Sequence, residues 1–514
     1  MSGKLCASFP ESSPETRNVT AAANWNFAGR LADRLGPRSG MIDAATGLRV
    51  GSGELRNQIE SYGAGLQSAG LRQGDRVLIG CTLSPPSALV YLGAIYAGLV
   101  PALVDERTLT TSASTLIEAT GATAVWTEKR LLPGKVDGQT IYSLHGEFTA
   151  QEDSLSSPAH CAPSDLAVLM ATSGSTGVPR FVMVSHGNLL ANTEAIVRSQ
   201  RLGGDERAMI VLPVSYCFGA SLLHTHLYQG GSVVFDRRFM FPDKVLRAVA
   251  DFSCTTFAGV PTVYDVLLRR SSIRSMIFPT LRRFLQAGGA LAPEKVNDMR
   301  AAFPGIDFYV MYGQSEATAR ISCLEPGRWE DKRGSVGTPL DNLNVSIVNE
   351  EGVALNAGEV GELLVAGPSI CLGYWNDRDE TRRIFCDGWL HTGDLARQDE
   401  DGYLWIEGRK AGFLKIRGTR ISFAEVERRV AAMPGVYDCG ACAVTHPEAG
   451  DALLLLVVPD RGTRVDTERI RRALPAHWTL DSIRLVSELP RTPAGKLARP
   501  ALLEWAKNGH AAIG

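Results

Sequence analysis

Short apolar runs recur along the N-terminal part of the chain, at residues 76–80, 100–104, 122–126, 208–212, 232–235, 255–258, 284–288 and 308–311. Helical apolar spacing fills most of the gaps, as at 53–71, where the pattern ends in the turn Gly74-Asp75. A strand covered on both faces reads as a continuous apolar run, and strands separated by helices pair in parallel through crossovers. The pattern predicts an α/β fold, with parallel-rich sheets and helices packed on their faces. The uncharged stretch 87–104 has nearly the length of a membrane span. Gly93, Gly98 and Pro101 divide it instead into a buried helix and a short strand.

The style changes after about residue 330. Runs at 343–348, 361–365 and 403–406 sit between Gly-rich turns, and the first alternates apolar with polar residues, which predicts an antiparallel β unit. From Arg409 onward a compact α+β pattern follows: a strand at 413–416, a helix at 423–432, strands near 440–444 and 453–458, and a helix at 467–474. The expected division is a large N-terminal domain, 1–408, whose β-rich part spans about 330–408, and a small C-terminal domain, 409–514. The break is expected at 408–412.

Charge and cysteine usage narrow the function classes. The 514 residues hold 53 Lys+Arg against 55 Asp+Glu, a formal net charge of −2, so the footprint of a general nucleic-acid binder is missing. The ten cysteines are scattered, and the N-terminus is polar without an apolar signal core. Both point to reduced thiols in a cytoplasmic protein.

The strongest local feature is ATSGSTGVPR at 171–180, preceded by the apolar run 166–170 and followed by Val182-Met-Val184. Gly174 and Gly177 allow backbone conformations that turn amides inward on an anion. Thr172, Ser173, Ser175 and Thr176 add hydroxyl donors, and Arg180 adds a fixed positive charge. A triphosphate is the natural ligand. The loop is not a Walker A motif, because no Gly-Lys-Ser/Thr closes it.

In this loop the chain resembles the adenylate-forming enzymes, which include acyl- and aryl-CoA synthetases, adenylation domains of peptide synthetases, and luciferases. It is most similar to their stand-alone acyl-CoA or acyl-carrier-protein ligases. The signature TSGSTG-x-P-[KR]-G stands here as TSGSTGVPRF, with Phe181 in place of a Gly, which predicts a narrower loop exit. The resemblance continues through Gln286-Ala-Gly288-Gly289-Ala290, similar to the segment lying along adenine, and Tyr312-Gly313-Gln-Ser315-Glu316, similar to YGxTE. It implies that Tyr312 stacks on adenine, that the Ser315 hydroxyl approaches the α-phosphate, and that Glu316 ligates Mg2+. GWLHTGD at 388–394 matches GW-x-x-TGD, which assigns Asp394 to the ribose hydroxyls with Arg409 as its partner. Near the C-terminus, LPRTPAGK at 489–496 resembles the motif that carries the catalytic Lys, here Lys496.

The resemblance implies two half-reactions on ATP with Mg2+. A carboxylic acid becomes an acyl-adenylate with release of pyrophosphate, and the acyl group then passes to the thiol of CoA or of a carrier protein's phosphopantetheine. It also implies a mobile small domain that turns about a hinge at Ala411, where Asp or Lys is usual, so the common polar latch is expected to be missing. Tyr216, Gly219, Val260, Pro261 and Gln286 are the candidate walls of the acyl pocket, with Gly313 nearby. Amino-acid-activating relatives usually carry an Asp after the Phe of this segment. Here Phe218-Gly219-Ala220 offers no anion for an ammonium, which favours a non-amino acid. Two alternatives remain open: a stand-alone amino-acid adenylation enzyme loading a carrier protein, and a degenerate member that binds nucleotide without turnover.

Several features are read as structural. Cys439-Gly-Ala-Cys442 lacks a second pair and reads as part of a buried strand. His224 and His226 lie in an apolar helix, and Gly63-Ala-Gly65 lacks the third glycine of a dinucleotide fingerprint; Arg320, four residues past Glu316, is placed to face a polar substrate, but a solvent-exposed or structural role is the favoured reading. Residues 409–514 carry a net +6 and the remainder −8, which suits a basic lid approaching a triphosphate, CoA phosphates or an acidic carrier protein.

Overall fold

The parallel strands pair through helices whose ends are marked by local chemistry. In the computed structural model, described for residues 23–128, 135–136, 139–140, 142–145, 155, 157–172, 179–410, 413–416, 419–446, 450–460, 462–475, 478, 480–492 and 497–508, strand Arg76–Cys81 pairs in parallel with Val100–Asp105 and Ala124–Thr127. The connecting helix Pro85–Tyr96 starts where Ser84 accepts the Ser87 amide, with proline in the first turn. It is buried over almost its whole length, which explains the uncharged stretch of sequence. Among the described residues no helix is long and apolar enough to cross a membrane.

Two large sheets result. One has seven strands, and its strands Leu166–Thr172 and Arg180–Ser185 form an antiparallel hairpin with Arg180 opposite Thr172. A connection this short cannot return the chain in parallel, so the donor-rich segment joins a hairpin and not a crossover. The other has nine strands, of which Gly40–Asp43, Ser232–Phe235, Arg207–Ile210, Thr256–Gly259, Arg283–Gln286 and Asp307–Tyr312 are parallel neighbours. Gly259 stands opposite Gln286, and Gln286 opposite Val310. The segments that leave these strands therefore emerge side by side at the carboxyl edge, where open α/β sheets bind ligands.

A five-stranded antiparallel sheet of Asn344–Val348, Gly361–Ala366, Trp389–Gln398, Phe385–Cys386 and Leu404–Arg409 packs beside them. One continuous apolar core joins residues from Phe27 to Leu404. Beyond it, strands Val436–His446, Gly450–Pro459 and Leu480–Leu485 form a three-stranded sheet with helices Phe423–Ala431, Thr467–Ala473 and Arg499–Asn508. Alternation along its strands makes two separate cores. Ala441, Leu453, Leu455 and Val457 face one way, and Cys442, Leu454, Leu456 and Val458 the other. Cys439 belongs to the first core and Cys442 to the second, so the CxxC pair lies on opposite faces of a strand and cannot close on one metal.

Candidate active site

Four segments converge beyond the carboxyl edge of the nine-stranded sheet. Asp307–Tyr312 leads into the 3-10 turn Ser315–Ala317, held from outside: the Cys371 amide donates to the Glu316 carbonyl at 3.0 Å, and the Cys371 thiol to the Ser315 carbonyl at 3.2 Å. Gly313 is obligatory, since a Cβ there would run into the Ala319 carbonyl. Gly288 has φ +87°, in the left-handed region, and the Tyr216 hydroxyl lies 2.7 Å from where its Cβ would stand. The Gln286 amide reaches over this turn to the Gly289 carbonyl at 2.7 Å, while Gly289 and Ala290 are exposed.

Asp394 anchors the second half of the site. It sits 4% exposed on strand Trp389–Gln398, opposite Arg409 in the ladder. Arg409 Nε holds Asp394 Oδ1 at 2.8 Å, the Tyr312 hydroxyl donates to Oδ2, and the Asp394 amide donates to the Thr392 hydroxyl at 3.1 Å. Burial, with the Asp394 charge added, pushes the Tyr312 hydroxyl well above its ordinary pKa. Asp394 in turn raises that of Arg409. Both groups keep their protons, so Tyr312 remains a donor and Arg409 a cation.

Glu316 accepts the Tyr374 hydroxyl at 2.7 Å on Oε1. Tyr374 lies on the short strand Gly373–Tyr374, which pairs with the glycine-loop hairpin through Val182. Among the described residues no group of three or more His, Cys, Asp or Glu could hold a metal by itself. A hard cation here would need the oxygens of a bound triphosphate beside the single carboxylate of Glu316. Arg180 is engaged: Nη1 pairs with Glu380 Oε1 at 2.8 Å, and Nε with Asp377 Oδ2 at 3.5 Å. Phe181 is 3% exposed and packs in the cluster with Leu78, Val104 and Leu169; the loop that its size was expected to narrow lies outside the described residues.

The acyl-side candidates lie on neighbouring strand ends. Tyr216 caps helix Cys217–Tyr228, and Val260 caps helix Pro261–Arg270. Gly219 is fixed by its surroundings, because a Cβ would run into the Pro213 carbonyl. Arg320 departs from the exposed alternative: it is 2% exposed, its charge 5.0 Å from the Phe218 ring. His224 and His226 are buried as expected, and His224 bonds the Tyr91 hydroxyl at 2.9 Å.

Ser173, Gly174, Ser175, Thr176, Gly177, Ala411 and Lys496 lie outside the described residues. Next to Ala411, Lys410 pairs with Glu362 at 2.8 Å, with His391 3.5 Å from the same carboxylate. Sequence reasoning also missed Tyr374, Thr392 and Cys371. Tyr374 left only a faint signal, an aromatic after a glycine that takes φ +127°.

Comparison with known proteins agrees with this geometry. Residues 41–375 match the family described as AMP-binding enzyme, and residues 425–496 match the AMP-binding enzyme C-terminal domain. The chain belongs to the AMP-binding enzyme family, the adenylate-forming superfamily, and its relatives place it among the AMP-forming acid–thiol ligases. It is 32% identical over 486 residues to a feruloyl-CoA synthase of an Amycolatopsis species, spanning 90% of this chain and 96% of that one. A long-chain-fatty-acid–CoA ligase of Bacillus subtilis (strain 168) is 27% identical over 494 residues, 87% of this chain and 88% of its own. The crystal structure of ATP-bound MatB from Rhodopseudomonas palustris superposes with a TM-score of 0.85 at 26% identity, covering 95% of this chain and all of that one.

Proposed function

We propose that the chain activates a non-amino carboxylic acid with ATP and transfers the acyl group to the thiol of CoA. The observation that carries this reading is the shared site of Tyr312, Asp394, Arg409 and Glu316, built from two different sheets onto one edge. Asp394 presents a carboxylate to the ribose hydroxyls, steadied by Arg409, and the Tyr312 ring and the 288–290 turn flank adenine. Thr172, residues 173–177 and Arg180 take the triphosphate, Arg180 exchanging its carboxylate partners for phosphate oxygens. Mg2+, held by Glu316 with the phosphates, supplies charge neutralisation there.

In the first step a substrate carboxylate oxygen forms a bond to the α-phosphorus, and the bond to pyrophosphate breaks. Lys496 and the Ser315 hydroxyl stabilise the charge that develops on the α-phosphate. In the second step the thiolate adds to the acyl carbonyl and AMP leaves. The division at 408–412, with the β-rich part of the large domain at about 330–408 and a small domain at 409–514, gives the lid that alternates between the steps. The reading includes a cytoplasmic location, supported by cysteines that are all free thiols among the described residues. CoA is favoured over a carrier protein because the curated relatives above are CoA ligases. Acid-dependent pyrophosphate–ATP exchange, followed by thioester formation with CoA or with a phosphopantetheinyl carrier protein, tests both steps. Exchange with α-amino acids alone would replace this reading.

A further inference from the structure

Arg320 is an anomaly of electrostatics. Its side chain is among the largest fully buried ones in the protein, yet among the described residues no carboxylate pairs with it. Its guanidinium donates to the thioether of Met311, a weak and neutral acceptor, and lies over the face of Phe218. The groups acting on its charge are the thiols of Cys323 and Cys217 and the phenol of Tyr216. Burial raises the pKa of the Cys323 thiol and of the Tyr216 phenol, so neither supplies an anion at neutral pH. A desolvated guanidinium without a counter-charge is costly, and such groups in folded proteins are paired or meet an anionic ligand.

The backbone around it points the same way. Asn192 fixes the backbone of Arg320 at both its amide and its carbonyl, at 3.2 and 2.9 Å, and so sets where its Cα stands. Phe218 and Cys217 lie in the first turn of helix Cys217–Tyr228, whose N-cap, Tyr216, makes no side-chain capping bond. That turn adds amide donors and the positive end of a twelve-residue helix beside the guanidinium. The Tyr216 hydroxyl lies beside Gly288, so the helix turn next to the guanidinium adjoins the turn at 288–290. The usual acid that would pair a substrate ammonium is replaced by Gly219, and a cation stands close by.

We infer that Arg320 is a specificity-determining residue that receives a second anionic group, a carboxylate or sulfonate, at the far end of the acid this protein activates. The inference rests on the carboxylate-activating reading above and names its substrate class: a short acid with an oxyanion at each end. The guanidinium binds such a group through two parallel N–H donors, while the other carboxylate remains free to attack ATP.

The test pairs acids of equal length with and without the distal charge, such as adipate and hexanoate, or 3-sulfopropanoate and butanoate, across three to eight carbons. Two readouts use the full-length chain: kcat/KM in pyrophosphate exchange, and calorimetric binding of each acid without ATP. Wild type is expected to prefer the doubly anionic member of at least one pair by about 100-fold or more. Arg320→Met should abolish that preference, lowering the charged acid by about 100-fold through KM and raising the uncharged one, whose apolar tail the thioether accommodates. Arg320→Lys, which keeps the charge, should restore part of the preference, an outcome a packing role would not produce. The carboxylate and sulfonate arms tell the two oxyanions apart. Equal or better use of the uncharged acids by wild type, or an equal fall in both by Arg320→Met, would overturn the inference while leaving the activation reading intact. Absence of exchange with every acid would overturn the activation reading, and calorimetry would still decide Arg320: charge-selective binding lost in Arg320→Met supports it, and unselective or absent binding overturns it.

Discussion

The Tyr312 hydroxyl and the Arg409 guanidinium each hold one oxygen of Asp394, fixing a carboxylate that is 4% exposed. Each partner comes from a different sheet, Tyr312 from the parallel sheet and Arg409 from the antiparallel one. In the proposed reading these three residues take the ribose, and a carboxylate already fixed before ligand arrives lowers the ordering cost of binding. Tyr312→Phe keeps the ring and removes one bond, and is expected to raise the KM for ATP about tenfold with little change in kcat. Asp394→Ala, which leaves Arg409 unpaired, is expected to lower kcat/KM for ATP by about 100-fold or more. Steady-state kinetics with ATP varied checks both, and equal effects of the two substitutions would contradict the division of roles.

Arg180 is held by Glu380 and Asp377, with which the triphosphate of the proposed reaction would compete. Its side chain is 42% exposed, so solvent screens the pairs and the competition is mild. Glu380→Gln is expected to lower the KM for ATP about two- to threefold, and Arg180→Ala to raise it about tenfold. A higher KM for Glu380→Gln would mean that the ion pair holds the loop exit in its binding shape.

The Lys410–Glu362 pair ties the segment leading into the small domain to the antiparallel sheet. Arg269, which pairs with Asp460 and lies 4.6 Å from the Tyr437 ring, ties the small domain to helix Pro261–Arg270. If the small domain is the lid of the proposed function, both contacts belong to one of its orientations. Lys410→Ala and Arg269→Ala are expected to shift the ratio of adenylation to thioester-formation rates in the same direction, by about three- to tenfold. Single-turnover measurement of each half-reaction checks this, and opposite shifts would show that the two contacts do not act as one latch.

Three buried histidines predict the acid limb of stability. Burial lowers His186 and His226 to about 4 and His224 to about 3, from an ordinary value of about 6.5. The unfolded chain therefore binds more protons between about 4 and 6.5, and stability falls as pH drops through that window. Above about 6.5 these three contribute no slope. Urea midpoints measured from pH 8 to pH 4 should stay level in this respect and then decline, and His224→Phe should make the decline shallower. A midpoint that rose on acidification from 6.5 would contradict the neutral buried state.

Much of this architecture was legible where chemistry is local. The run 232–235 is strand Ser232–Phe235, and the run 76–80 is Arg76–Cys81 to within one residue, because continuous apolar runs bounded by turns leave little choice. What stayed hidden depends on contacts distant in sequence. Strand Gly40–Asp43 joins a sheet through Ser232–Phe235, a pairing no local pattern reveals. Arg320 has the composition of a surface residue, and only packing against Phe218 and Asn192 makes it an interior one. Tyr374 reaches Glu316 from a two-residue strand too short to carry a period. The family was readable because its motifs need glycines and hydroxyls at fixed spacing, whereas the residues proposed for the acyl side carry no such pattern.

The central claim is that this chain makes an acyl-adenylate and passes it to a thiol, with Lys496 acting on the α-phosphate. The most direct measurement is carboxylic-acid-dependent exchange of labelled pyrophosphate into ATP, for wild type and Lys496→Ala, across aliphatic, aryl, doubly anionic and amino acids. The account predicts exchange with a subset of the non-amino acids and a loss of about 100-fold or more in Lys496→Ala. Exchange that needs no acid, or that is unchanged by Lys496→Ala, would contradict it.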